Sequence, residues 1–181
     1  MLPEFDIAAL SAPAVCVFTG VRFCGKTHAM NAVCNQLRPT RVLRFECLST
    51  PFDPVACRDF LKAQMEATQG TAAVVVDGVG VGDEESAALL EVACDGRACK
   101  TSLLVSEQYA RLPQALRQNA DYLFVFYNDN PDEQHRYWKR YGEGIFATFK
   151  DFEGAMQRIA GDRGACLVID TNNIRVFRWN T

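Results

Sequence analysis

The sequence predicts an α/β protein with a mostly parallel central sheet, helices on both faces and a C-terminal β-hairpin. Three observations carry this. Apolar strand-like runs alternate with amphipathic helical stretches almost to the end of the 181 residues. Ala72-Ala73-Val74-Val75-Val76 is an unbroken apolar run closed by Asp77, the pattern of a strand buried on both faces of a parallel sheet. Near the end, two strand-like runs flank Asn172-Asn173, which reads as a hairpin turn.

The elements follow in order. Ala14-Val15-Cys16-Val17-Phe18 is a short buried strand, and Lys26 to Leu37 reads as a helix. Val42-Leu43-Arg44-Phe45-Glu46-Cys47 is a second strand. Asp53 and Pro54 then open a helix reaching Thr68, because an acidic cap before a first-turn proline is a usual start. After the Ala72–Asp77 strand, Asp83 to Val92 is a helix whose acidic first turn suits the dipole. Ser102-Leu103-Leu104-Val105-Ser106 is the fourth strand, Leu112 to Asn119 a short helix, and Tyr122-Leu123-Phe124-Val125-Phe126 the fifth strand. Asp132 to Tyr141 and Phe149 to Ala160 read as helices. Cys166-Leu167-Val168-Ile169-Asp170 and Ile174-Arg175-Val176-Phe177-Arg178-Trp179 form the hairpin.

The bulk numbers bound the answer. Residues 1–181 are the size of one domain with a substantial core. Hydrophobic residues at 49% and charged residues at 23% are ordinary globular usage, and no apolar run is long enough for a bilayer. The start, Met-Leu-Pro-Glu-Phe-Asp, lacks the order of a secretory signal. A net charge of -3 argues against a domain that coats nucleic acid by electrostatics alone. Contact with nucleic acid therefore needs a local patch or a multi-subunit ring. Eight cysteines form no C-x-x-C pair, and Cys94 and Cys99 have no nearby histidine. They read as reduced thiols of an intracellular compartment, with Cys16, Cys34, Cys47, Cys57 and Cys166 in or beside apolar segments.

The most informative segment is Gly20-Val21-Arg22-Phe23-Cys24-Gly25-Lys26-Thr27, which fits G-x-x-x-x-G-K-[ST] between a strand and a helix. Loop amides there form an anion nest, and the helix start adds the positive end of its dipole. Lys26 supplies a cation for the outer phosphates and Thr27 a hydroxyl for Mg²⁺. The nucleotide-binding stretch thus runs from Gly20 to His28. Helix-end amides would lower the thiol pKa of Cys24 inside it. Asp77, at a strand end, is the second expected Mg²⁺ group.

The place after Asp77, where many ATPases carry a second acid to activate water, holds Gly78. Candidate bases are Glu46, Glu84, Glu85 and Glu107; Glu46 is preferred because a strand end aims its side chain at the γ-phosphate. Gln108 after the fourth strand is the candidate γ-phosphate sensor. Arg117 is the candidate arginine supplied across a subunit contact, with Arg97 and Arg111 as rivals. Arg97 and Lys100 read either as pore contacts or as a solvated loop. His28 and His135, the only histidines, read as structural.

The order of these pieces resembles the DNA-packaging ATPases of nucleocytoplasmic large DNA viruses, such as poxviruses and giant viruses, in the FtsK–HerA superfamily of ring-forming DNA translocases. The resemblance runs from Ala14 to Trp179. Its carriers are Gly20 to Thr27, Val74 to Asp77, Gly96-Arg97, Ser106-Glu107-Gln108-Tyr109, Leu112-Pro113 and Leu116-Arg117-Gln118-Asn119-Ala120-Asp121, with the hairpin around Asp170. It implies a RecA-like (ASCE) P-loop NTPase core, ATP with Mg²⁺, Gln108 as sensor and a homo-oligomeric ring, a pentamer or hexamer, around double-stranded DNA. It also implies capsid-protein partners and a site of action in the host cytoplasm, at a viral factory, or in the virion. Gly78 departs from the family's paired acids, a departure that bears on hydrolysis rate more than on binding. The compactness of the 181 residues leads to the expectation that an added DNA-binding domain is absent.

Two other functions fit parts of the chain. A small nucleoside or nucleotide kinase suits the size and the P-loop, with residues 132–136 as an arginine lid, but leaves the segment from Gln108 to Arg117 unexplained. A nucleotide-binding module with weak hydrolysis is motivated by Gly78.

Overall fold

The computed structural model describes residues 2–46, 49–67, 69–78, 82–108 and 111–180. Seven strands form one sheet: β1 (Val15–Thr19), β2 (Arg41–Glu46), β3 (Ala72–Asp77), β4 (Thr101–Glu107), β5 (Tyr122–Phe126), β6 (Ala165–Asp170) and β7 (Arg175–Asn180). Their order is β2-β3-β4-β1-β5-β6-β7. The first five run parallel, and β6 and β7 add an antiparallel edge. Because β1 to β4 are parallel, the segments after each of them open at the same end of the sheet. Ligands of such sheets bind at that end.

Alternation along the central strands divides the core into two layers. Val15, Val17, Val74, Val76, Leu103 and Val105 face one side. There they meet α2 (Pro54–Glu66), α3 (Asp83–Asp95), α4 (Gln114–Gln118), α5 (Pro131–Tyr137) and α6 (Phe149–Gln157). Cys16, Phe18, Ala73, Val75 and Leu104 face the other side and bury Ala29, Met30, Val33 and Leu37 of α1 (Lys26–Leu37). Both faces are covered, which is why the central strands read as unbroken apolar runs.

Local chemistry explains the element ends. Asp53 caps α2 by accepting from the amides of Val55 and Ala56 at 2.9 and 3.1 Å, with Pro54 opening the helix. At the amino ends of the strands, Asp121 accepts from the amide of Val15, from Arg97 and from Asn172. That buried carboxylate ties β1, β5 and the hairpin together. Asp170 holds the hairpin turn by accepting from the amides of Asn172 and Asn173. The left-handed residue of the turn is Ile174, at φ 53, rather than either asparagine.

Several bounds depart from the sequence expectation: α3 runs to Asp95 rather than Val92, α4 starts at Gln114 rather than Leu112, α6 ends at Gln157 rather than Ala160, and several strands shift by one residue. β4 extends to Glu107, one residue beyond Ser106. The helix expected over 132–141 divides into α5 and a π-helical turn at Trp138–Gly142, where Tyr141 is buried. A 3-10 turn at Ile7–Ala9, held by Asp6, packs near the start of the chain and has no apolar period to announce it. Cys47 and Tyr109 lie outside the described residues.

Candidate functional site

The loop between β1 and α1 has the form its sequence requires. Gly25 precedes the helix at φ 111, a left-handed conformation in which a Cβ would also lie 3.1 Å from the Gly164 backbone. No side chain caps α1, so the amides of its first turn are left for an anion. Lys26 is 8% exposed, and its ammonium donates to the carbonyls of Gly20 at 2.8 Å and Val21 at 2.7 Å. Phe23 takes φ 61 and leaves its ring 93% exposed, a feature without a periodicity signal. Arg22 and His28 are exposed beside it.

Burial pushes the Cys24 thiol up, and the nearby Lys26 ammonium only partly offsets this. The expected lowering by the helix start is therefore corrected: desolvation inside the folded loop outweighs it. Cys16, Cys34, Cys57 and Cys166 are buried free thiols. No metal-holding group of three His, Cys, Asp or Glu side chains exists among the described residues.

Across the sheet, Thr27 Oγ1 donates to Asp77 Oδ2 at 2.5 Å. Two hard oxygen donors thus converge where the loop meets β3, and this pair fits a magnesium ion. Ser106, 1% exposed on the neighbouring β4, donates to the other oxygen, Asp77 Oδ1, at 2.5 Å.

The candidate bases separate by face and by partner. Glu46 lies directly beside Asp77 in the parallel β2–β3 register, so both side chains leave the same face. It accepts from the Ser49 hydroxyl at 2.8 Å and is exposed. A cavity of about 130 Å³ opens beside it, walled by Phe45, Phe52 and Val76 and edged by Asp77. Glu85 also borders that cavity, but its carboxylate accepts from the Gly82 amide at 2.5 Å as a helix cap. Glu84 pairs with Arg58 at 3.8 Å.

Glu107 is 2% exposed and, one residue past Ser106 in the β3–β4 register, stands on the opposite face from Asp77. It accepts from the amides of Arg111 at 2.5 Å and Leu112 at 2.7 Å and from the Tyr141 hydroxyl. Burial holds its carboxyl above the usual range, with these donors pulling the other way. It pins the loop that carries Gln108 to the π turn. Sequence reading missed this clamp, because Glu107 and Tyr141 are 34 residues apart.

Arg117 is engaged within its own chain. It donates to the carbonyls of Leu112 at 3.1 Å and Arg140 at 2.7 Å and lies 5.7 Å over the Tyr141 ring. To reach a neighbouring subunit it must release these carbonyls. Arg97 pairs with Asp121 at 3.0 Å at the far end of the sheet, a structural role. Arg111 is exposed on the loop after β4, and Gln108 sits half-buried at the start of that loop. His135 packs against Trp138 and Phe149, as a structural histidine does.

Tyr141→Phe is expected to cost about 2 kcal/mol by leaving a buried carboxylate short of a donor. It should also change the pH dependence. The folded chain already holds the Glu107 proton more tightly than its ordinary 4.5. Stability is therefore full below that ordinary value and is lost as pH rises toward the raised folded value. Losing the Tyr141 donor raises the folded value further and widens the window. Denaturant midpoints at about pH 5 and about pH 8 check this: the deficit should grow with pH, and a constant deficit refutes it.

No family model matches the sequence, and no curated protein matches it. Solved structures do. The DNA-packaging ATPase B204 of Sulfolobus Turreted Icosahedral Virus superposes with a TM-score of 0.67 at 15% identity, over 92% of this chain and 97% of that one. The genome packaging NTPase B204 of Sulfolobus turreted icosahedral virus 2, in complex with ATP-gammaS, gives 0.63 at 14%, over 92% and 96%. EssC (ATPases 2 and 3) from Geobacillus thermodenitrificans gives 0.61 at 12%, over 92% of this chain and 39% of that one. None of these three comes from a nucleocytoplasmic large DNA virus. The likeness, at these identities, is one of architecture: the chain has the RecA-like α/β fold of P-loop ATPases, among them two viral genome-packaging enzymes.

Proposed function

We propose that this chain is an ATP-driven translocase that packages viral genomic double-stranded DNA into a capsid, working as a ring of identical subunits, a pentamer or hexamer. The observation that carries the nucleotide part is the convergence of Lys26, the uncapped start of α1 and the Thr27–Asp77 oxygen pair at the carboxyl end of the sheet. The packaging part is supported by the architecture shared with B204 and by the constellation of Gln108, Pro113, Arg117 and Asn119. The lineage within large DNA viruses rests on that constellation alone. Capsid proteins as partners, and a host cytoplasmic or virion location, follow from the same reading. Among the described residues no helix is long and apolar enough to cross a membrane.

Each residue then has a task. Gly20 to His28 enclose the phosphates, with Lys26 turning from the loop carbonyls to the phosphate oxygens. Thr27 and Asp77 would hold Mg²⁺, which when bound neutralises charge on the β- and γ-phosphates. Glu46 takes the proton of a water whose oxygen attacks the γ-phosphorus as the bond to the bridging oxygen breaks. Gln108 contacts the γ-phosphate. Arg117, once released, balances charge at the site of the adjacent subunit.

Mass in solution, measured with an ATP analogue and duplex DNA alongside phosphate release, tests this. Ring formation with DNA-stimulated turnover is the expected result. A monomer that phosphorylates a nucleoside without DNA stimulation would make it a kinase. Tight retention of ATP with negligible phosphate release, with or without DNA, would make it a binding module.

A further inference from the structure

We infer that Ser106 is a positioning residue for the magnesium carboxylate, a role resting on the metal reading of Thr27 and Asp77. The Ser106 hydroxyl has two partners. It accepts from the Gly78 amide at 2.8 Å and lies 2.5 Å from Asp77 Oδ1. A backbone amide can only donate, so the single hydroxyl proton has one place to go, the Asp77 carboxylate. Ser106 thereby occupies Oδ1 and leaves Oδ2 turned to Thr27 and the cation site. The carboxylate cannot rotate without breaking that bond.

The contact also engages Gly78. Its φ of 85 is a conformation that side-chain-bearing residues adopt at a cost. Its amide, fixed by the Asp77–Gly78 peptide plane, donates to Ser106. The position after Asp77 thus braces that acid through the neighbouring strand. Ser106 lies two residues before Gln108 on the same stretch of chain. The strand that leads to the expected γ-phosphate sensor is therefore tied to the metal carboxylate by one hydroxyl.

The test is the affinity of a fluorescent, non-hydrolysable ATP analogue, read in EDTA and across a magnesium titration. Ser106→Ala should keep the EDTA affinity within about twofold of wild type, which certifies the loop, yet need at least about 10-fold more Mg²⁺ to reach half of the metal-dependent gain. Ser106→Thr, which retains the hydroxyl, should titrate like wild type. If Ser106→Ala does not fold, Ser106→Cys, slightly larger and with a weaker donor, should shift in the same direction by less. A variant lacking the hydroxyl that titrates with magnesium as wild type does overturns the role. So does equal loss in EDTA and in magnesium, which would mark Ser106 as a strand-packing residue only. A wild-type chain with no magnesium-dependent gain sinks the metal reading of Thr27 and Asp77 itself, and this role with it.

Discussion

Glu46→Gln is expected to lower ATP turnover by about 10²- to 10⁴-fold, the usual contribution of a general base, while leaving analogue affinity near wild type. The substitution keeps shape and hydrogen-bond acceptance and removes only the ability to take a proton. Its rivals are engaged elsewhere: Glu84 pairs with Arg58, Glu85 caps α3, and Glu107 faces the opposite layer. Glu46 shares a face with Asp77 and borders a cavity with room for water. Its carboxylate accepts from the exposed Ser49 hydroxyl, a contact that can be exchanged for water. Single-turnover phosphate release measures the effect. A variant with wild-type turnover removes Glu46 from the chemistry.

Lys26→Ala should reduce turnover by about 10²- to 10³-fold, the loss typical of deleting one preorganised charged donor. Here the lysine also braces the loop through the carbonyls of Gly20 and Val21. Its loss therefore leaves these carbonyls without their donor as well as removing the phosphate's cation. Lys26→Arg should fail to rescue, because a planar guanidinium cannot fill the compact, nearly buried seat of an ammonium. Analogue binding by fluorescence, with unfolding curves to verify the fold, measures both variants. Unchanged affinity and turnover in Lys26→Ala would mean that the triphosphate binds elsewhere.

Much of the site was legible because its grammar is local. A P-loop is eight consecutive residues, and its glycines, lysine and threonine are required by the turn and helix they themselves build. The helix expected over Lys26 to Leu37 occupies those residues, and Asp53 with Pro54 opens α2 as capping chemistry requires. Strands such as Ala72–Asp77 announced their burial on both faces through unbroken apolar runs. The register of β2 against β3, which sets Glu46 beside Asp77, was anticipated only as an adjacency.

The amino-acid sequence by itself determined the α/β alternation, the phosphate loop and the terminal hairpin, since each depends on residues a few positions apart. Only the tertiary structure decided which acids share a face, that Ser106 holds Asp77, that Glu107 clasps Tyr141, that Arg117 is engaged by its own chain and that the Cys24 thiol is pushed up. Strand parity, burial and partners 23 to 50 residues away set those outcomes. No short-range pattern encodes them, because they exist only once the strands have taken their order in the sheet.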